Sequence, residues 1–344
     1  MPLISSLGLM NAIGFGLDSS LKAPEVVFGS LSSPPYLSAY IWTNAGFSTK
    51  YANPVTLPTF TCRGIDVNKG NTAVAVATDN DGICAYPFST TTGFGAKYSG
   101  GAVAGSLLTT TKFNNSNSVL FYTLNGTPYI GAYNWSNGFG TKLTNPSTLP
   151  TGAAYFIAVH PTDTVVGIGH TTTPFMSVYA FSGGSFGTKF ADPSVTAGGN
   201  TVGLTFNNAG TVIVGGRRNS PYIYAYNWSS GFGTKFADPA TLLTGNGQGV
   251  CFNNTDSVVA IAYGATPYVA AYAWSSGFGA KFTNPATAGS ATASGAQVNF
   301  NKNGTAVGLG SATPGDVYAW SSGFGIKYTT PAAGVGNFGL VFSK

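Results

Sequence analysis

The chain has 344 residues, of which 48 are glycine, 19 are proline and only 7% are charged. A hydrophobic content of 43% excludes a disordered chain, and a single glutamate, Glu25, together with scarce Leu, Lys and Arg, argues against a helical protein. What remains is an all-β chain rich in Val, Ile, Tyr, Phe and Thr and broken by many tight turns.

The formal charge of +5 comes from 15 basic and 10 acidic residues. Seven of the basic residues are lysines of one repeated turn: Lys50, Lys97, Lys142, Lys189, Lys235, Lys281 and Lys327. Without them the balance is 8 against 10, so the basicity belongs to the repeat and not to a cluster that would bind nucleic acid.

Taken in chain order, residues 1–24 form an apolar arm outside the repeat. The stretch has no basic leader and no A-x-A cleavage signal, and its apolar run stops at Asp18. It reads as an assembly arm that docks on another protein, with Leu7, Leu9, Met10, Ile13 and Phe15 as anchors, and not as a signal peptide or membrane span. Residues 25–344 form a second unit. Its lysines are separated by 47, 45, 47, 46, 46 and 46 residues, a period that means a solenoid or a propeller.

The contents of one period choose between them. From residue 246, "GQGVCFNN", "VVAIAYG", "YVAAYAW" and "AKFTNP" are four short β-rich runs separated by the turns "TDS", "ATP" and "SSGFG". Nothing has the 3.6-residue periodicity of a helix. The expected fold is a seven-bladed β-propeller of four-stranded antiparallel blades. The ends agree with it: "GNFGLVFSK" matches a first strand and then stops, while "APEVVFGS" matches a second strand. The C-terminal strand therefore completes the N-terminal blade and closes the ring.

The glycine turn before each lysine superficially resembles a phosphate loop. A strand follows it, however, where such a loop needs a helix N-terminus, so the glycines read as hairpin residues. The lysine reads as protection of the outermost strand edge. Trp42, Trp135, Trp228, Trp274 and Trp320 share one repeat position with Phe88 and Phe181, which favours core packing over sugar stacking.

The connections between second and third strands differ most between copies, and they place Asp79, Asp81, His170, Arg217 and Arg218 as blade-specific candidates for ligand binding on one face. "DNDG" lacks the later ligands of a calcium loop, and His160 and His170 have no third ligand for zinc. No catalytic residue, metal or cofactor is expected. Cys62, Cys84 and Cys251 read as free thiols, with a Cys62–Cys84 pairing left open.

Units of the form "AY.W..GFGTKY..P.TLP" resemble the tandem propeller repeats of the WD-repeat and YVTN-like class, and most closely those encoded by tailed bacteriophages. The Trp-Asp pair of true WD repeats is replaced by Trp-Ser. The resemblance covers nearly everything after residue 24. It implies a non-enzymatic virion surface protein acting in particle decoration or tail and host-surface interaction. Its partners would be other virion proteins through the arm and a host-surface glycan, without nucleic acid and without membrane insertion. The alternatives are a carbohydrate-binding propeller, secreted or on a bacterial surface, and a lactonase-like propeller enzyme.

Overall fold

A computed structural model describes residues 23–103, 107–292, 295–311 and 315–344. The arm residues Leu7, Leu9, Met10, Ile13 and Phe15 lie outside them. The described residues contain no helix; their strands make seven four-stranded antiparallel sheets arranged as a propeller. Blades 2 to 7 each run in sequence order from the channel outward. Blade 1 takes its inner strand, Leu340–Phe342, from the other end of the chain, where Val27 lies opposite Phe342 and Gly29 opposite Leu340. The expected closure is what the fold uses.

The core lies between blades. Along the second strand of blade 6, Val258–Tyr263, every residue is buried, yet alternate residues serve different neighbours. Val259 and Ile261 pack with Val212 and Val214 of blade 5, while Val258, Ala260 and Ala262 pack with Val307 and Leu309 of blade 7. A strand presents successive side chains to opposite faces, so a continuous apolar run is what a sheet covered on both sides requires. Seven clusters of this kind occupy the seven interfaces.

The recurrent aromatic position is structural. Trp274 is 6% exposed and meets Phe252 of its own inner strand at 5.4 Å, Phe278 of its own outer strand at 5.0 Å and Phe236 of blade 5 at 5.2 Å, all edge to face. Phe181 and Phe88 fill the same slot against Phe121 and Phe28 of the preceding blades. The glycine turn is a hairpin: Gly277 has φ +146°, and a Cβ on Gly279 would sit 3.2 Å from the Ala273 side chain across the pair.

The repeat lysine does more than guard an edge. Lys50, Lys189, Lys235 and Lys281 each donate to the Asn or Asp three residues on, namely Asn53, Asp192, Asp238 and Asn284. That bond ties the outer strand to the connection leaving the blade. In blades 2 and 7 the third residue on is Gly100 or Thr330, and an aspartate elsewhere in the blade replaces it. Lys97 pairs with Asp81 at 3.0 Å, and Lys327 with Asp316 at 2.6 Å.

A second ring of polar contacts joins the turns between inner and second strands, and it bridges all seven interfaces. Asn71 bonds Lys344 N and O, Asn117 accepts from Lys69 N, and Asp163 accepts from Asn115 N and Ser116 N. His160 bonds Gly210 O, Asp256 accepts from Asn208 N and Ala209 N, Asn254 donates to Asn301 O, and Glu25 accepts from Asn301 Nδ2 and Lys302 N. Asn71, Asn117, Asp163 and Asp256 adopt φ between +55° and +60°, a conformation Asn and Asp tolerate best after glycine. The chain's only glutamate makes the clasp between blades 7 and 1.

Candidate functional site at the channel mouth

The inner strands line the axial channel, and here the copies disagree. Counted from Cys62–Val67 in blade 2, the second position of the aligned inner segments is Arg63, Thr109, Tyr155, Val202, Gln248, Ala296 and Phe338 in blades 2 to 7 and 1, seven different side chains, with Ala296 and Phe338 just ahead of the strands Val298–Phe300 and Leu340–Phe342. The fourth position of the same strands is Ile65, Thr111, Ile157, Leu204, Val250, Val298 and Leu340, apolar in all but one copy. The fifth position again varies: Asp66, Lys112, Ala158, Thr205, Cys251, Asn299 and Val341. The fourth residue points into the interblade core. Of the other two positions, Arg63, Thr109, Tyr155 and Phe338 meet at one end of the channel and Asp66, Lys112 and Asn299 at the other, whereas Ala158, Cys251 and Ala296 pack in interblade clusters.

At one end a cavity of about 250 Å³ is lined by Arg63, Leu107, Thr109, Asn125, Tyr155, Gly295 and Phe338. Arg63 Nε donates to Asp79 Oδ1 at 2.5 Å and Nη2 to Oδ2 at 3.4 Å, a two-pronged pair. The Arg63 guanidinium stands 5.1 Å over the Phe338 ring, and that of Arg218 stands 5.4 Å over Tyr155. Asp79, Asn125 and Arg218 occupy one repeat position, the residue just after the second strand. Their backbone amides bond Thr61 O, Leu107 O and Asn200 O ahead of the inner strands, which brings them over the channel.

At the other end a cavity of about 230 Å³ contains Asp66, Lys112, Asn299, Lys302 and Lys344. Asp66 is fully buried and pairs with Lys112 at 3.5 Å and Lys344 at 3.0 Å, while accepting from Phe113 N at 2.9 Å. Burial, the largest influence, opposes ionisation of this carboxyl, but the two ammonium groups and the amide together outweigh it and hold it below the usual Asp range.

The five loop residues singled out from sequence separate into two sets. Asp79 and Arg218 reach the channel mouth. Asp81, His170 and Arg217 turn into the blades. Asp81 holds Lys97 and accepts from the Cys84 thiol at 3.3 Å. His170 is fully buried, bonds Ser177 Oγ at 3.1 Å through Nε2, and is pulled down to about 4 by burial. Arg217 is 7% exposed and donates to Ser220 O at 2.9 Å.

The connections themselves vary less in shape than in sequence. In five blades a cis X-Pro bond precedes an aromatic at positive φ (Tyr36, Tyr129, Phe175, Tyr222 and Tyr268), and each aromatic packs back on an interblade core. The inner-strand ring was missed by reading loops alone. Its signal is in the sequence: align the seven inner strands on their shared apolar fourth residue, and the second and fifth positions alternate between charge, amide, aromatic and methyl.

Cys62, Cys84 and Cys251 are free and buried, and Cys62 and Cys84 share one core cluster. Burial pushes the Cys84 and Cys251 thiols up to about 12 and Cys62 well above its ordinary value, which leaves them protonated and weakly reactive. Among the described residues no group of three or more His, Cys, Asp or Glu is arranged to hold a metal ion, and no helix is long and apolar enough to cross a membrane.

No family model matches the sequence, and no curated protein matches it. Solved structures do. A candidate 6-phosphogluconolactonase from Bacteroides fragilis superimposes with a TM-score of 0.72 at 11% identity, covering 95% of this chain and 99% of that one. A protein from Lactobacillus plantarum gives 0.69 at 12%, covering 93% and 99%. A functionally unknown protein from Desulfotomaculum acetoxidans gives 0.68 at 12%, covering 92% and 98%. At such identities the likeness is one of fold alone.

Proposed function

We propose that the chain is a non-enzymatic interaction propeller displayed on a bacteriophage virion, with residues 1–24 as the attachment segment and the channel mouth as the outward contact for a host-surface glycan. The observation that carries the binding role is the division of labour among the seven copies. Lysines, tryptophans and turn aspartates recur because they hold the framework; the second inner-strand position carries a different side chain in every blade, so no common framework role fixes it. The virion setting rests on the resemblance of the repeat units to phage propellers.

Support for a non-catalytic role comes from how the reactive groups are engaged. The two histidines, the three thiols and Asp66, Asp79 and Asp81 are buried or committed to framework bonds. Deleting residues 1–22 is expected to abolish incorporation into particles while leaving the propeller folded. Unchanged incorporation, read by immunoblot of purified virions, would refute the attachment role. The fold likeness to candidate lactonases motivates one further assay. Hydrolysis of 6-phosphogluconolactone is expected to proceed at the uncatalysed rate in the presence of the protein, and a saturable acceleration would make the chain an enzyme.

A further inference from the structure

We propose that the cavity around Asp66, at the channel end opposite Arg63, binds a phosphate group, a second site independent of the glycan contact and of the virion setting. Its lysines break the repeat. The second residue beyond the inner strand is Asn115, Pro161, Asn208 and Asn254 in blades 3 to 6, but Lys302, Lys344 and Lys69 in blades 7, 1 and 2, which are neighbours in the ring. Asn115, Asn208 and Asn254 show the framework role of that position: each side-chain amide donates to the next blade's turn, at His160 O, Asn253 O and Asn301 O. Lysine in three consecutive blades therefore puts charge where the framework calls for an amide, and Lys112 of blade 3 adds a fourth ammonium from the fifth inner-strand position.

Asp66 anchors the group. It keeps 1% of its side-chain surface, and its Oδ1 faces both Lys112 Nζ at 3.5 Å and Lys344 Nζ at 3.0 Å, whose side chains keep 32% and 34%. Asn71 fixes the Lys344 backbone through its N and O. Two ammoniums on one oxygen lie close enough for a second oxyanion to bridge, and each has three N–H donors, so binding Asp66 leaves donors over on both. Lys302 also lines the cavity, which makes three positive side chains against one negative. A phosphate monoester carries about −1.5 to −2 at neutral pH and matches that excess. Ammoniums are point charges suited to surround a tetrahedral oxyanion, whereas the planar fork that fits a carboxylate is an arginine's, and no described arginine lines this end. Asn254 and Asn299 stiffen the wall by donating to Asn301 O and Leu340 O. The volume of about 230 Å³ lies below the roughly 300–1,000 Å³ of sites for drug-sized ligands, which suits a phosphate on a short stem and not a nucleotide.

The test is calorimetric titration of the full chain, at neutral pH and one low ionic strength, with inorganic phosphate, sn-glycerol 3-phosphate, acetate and glycerol. Both phosphates should bind saturably and about tenfold or more tighter than acetate, and glycerol should not bind. Tighter binding of the ester assigns the site to a phosphate ester; equal or tighter binding of inorganic phosphate assigns it to the free ion. Lys302→Met and Lys112→Met keep the stem and drop the charge, and each should weaken phosphate about tenfold. Asp66 retains Lys344 in both variants, so unchanged circular dichroism is expected. Lys281→Met on the outer rim should leave the affinity unchanged. Acetate binding as tightly as phosphate, silence at millimolar phosphate, or full affinity in Lys302→Met would each overturn the assignment. Should Lys112→Met fail to fold, Lys302→Met decides alone. A protein that binds phosphate but is absent from particles keeps this site and loses only the display role.

Discussion

At the scale of single residues, the clasps and buried ionisable groups give the sharpest expectations. Asp256 holds two backbone amides of blade 5 from a left-handed conformation. Asp256→Ala removes the acceptor and puts a Cβ-bearing residue without local hydrogen bonding at φ +55°, so a loss of about 1–2 kcal/mol is expected in chemical denaturation. Asp256→Asn, which keeps an acceptor and tolerates that φ, should lose less.

Two acid windows follow from linkage. His170 has a folded pKa near 4, below its ordinary 6.5, so the unfolded chain binds more protons between those values. Its contribution is therefore complete above 6.5 and declines as pH falls toward 4. Asp66 is held below its ordinary 3.8, so its contribution is present above that value and declines at lower pH. His170→Gln should flatten the stability curve in the upper window and Asp66→Asn in the lower one; a slope unchanged in either variant would disprove the assignment for that residue.

At the scale of elements, each blade is a sheet that cannot bury its faces alone, and its third strand ends in an aromatic that reaches the blade before it. Trp274→Ala should cost about 3–5 kcal/mol by opening a cavity among three rings. Trp274→Phe should cost markedly less, because Phe88 and Phe181 already fill that slot. Thermal unfolding of the two variants checks the order. Four-stranded blades, their boundaries and their hairpins are readable from alternation, turn residues and period, because those features are local. The tie from the repeat lysine to an Asn or Asp three residues on is also local. Its replacement by Asp81 or Asp316 is not: it depends on which aspartate the folded blade brings within reach of the lysine.

At the scale of the whole molecule, closure is the decisive element. Removing residues 337–344 deletes the inner strand of blade 1 and the Lys344–Asn71 clasp, and it exposes the edge of Glu25–Ser30. An unpaired edge of this kind invites pairing between chains, so higher oligomers are expected in light scattering after size exclusion. A monodisperse monomer of unchanged stability would show that the seam is not what keeps the ring closed.

The sequence by itself determined the fold class, the number of blades, the closure and the structural nature of the glycine turn and tryptophans, because a repeat displays its framework by repeating it. It names Asp79, Asp81, His170, Arg217 and Arg218 as candidates on one face. Only the tertiary structure decided that Asp81, His170 and Arg217 turn inward, since the path of a side chain at the end of a buried strand depends on what the neighbouring blade leaves open. Only the tertiary structure brought Arg63, Thr109, Tyr155 and Phe338 together at one mouth. These residues lie dozens to hundreds of positions apart along the chain, and they meet because ring closure places the same position of successive inner strands around a common axis.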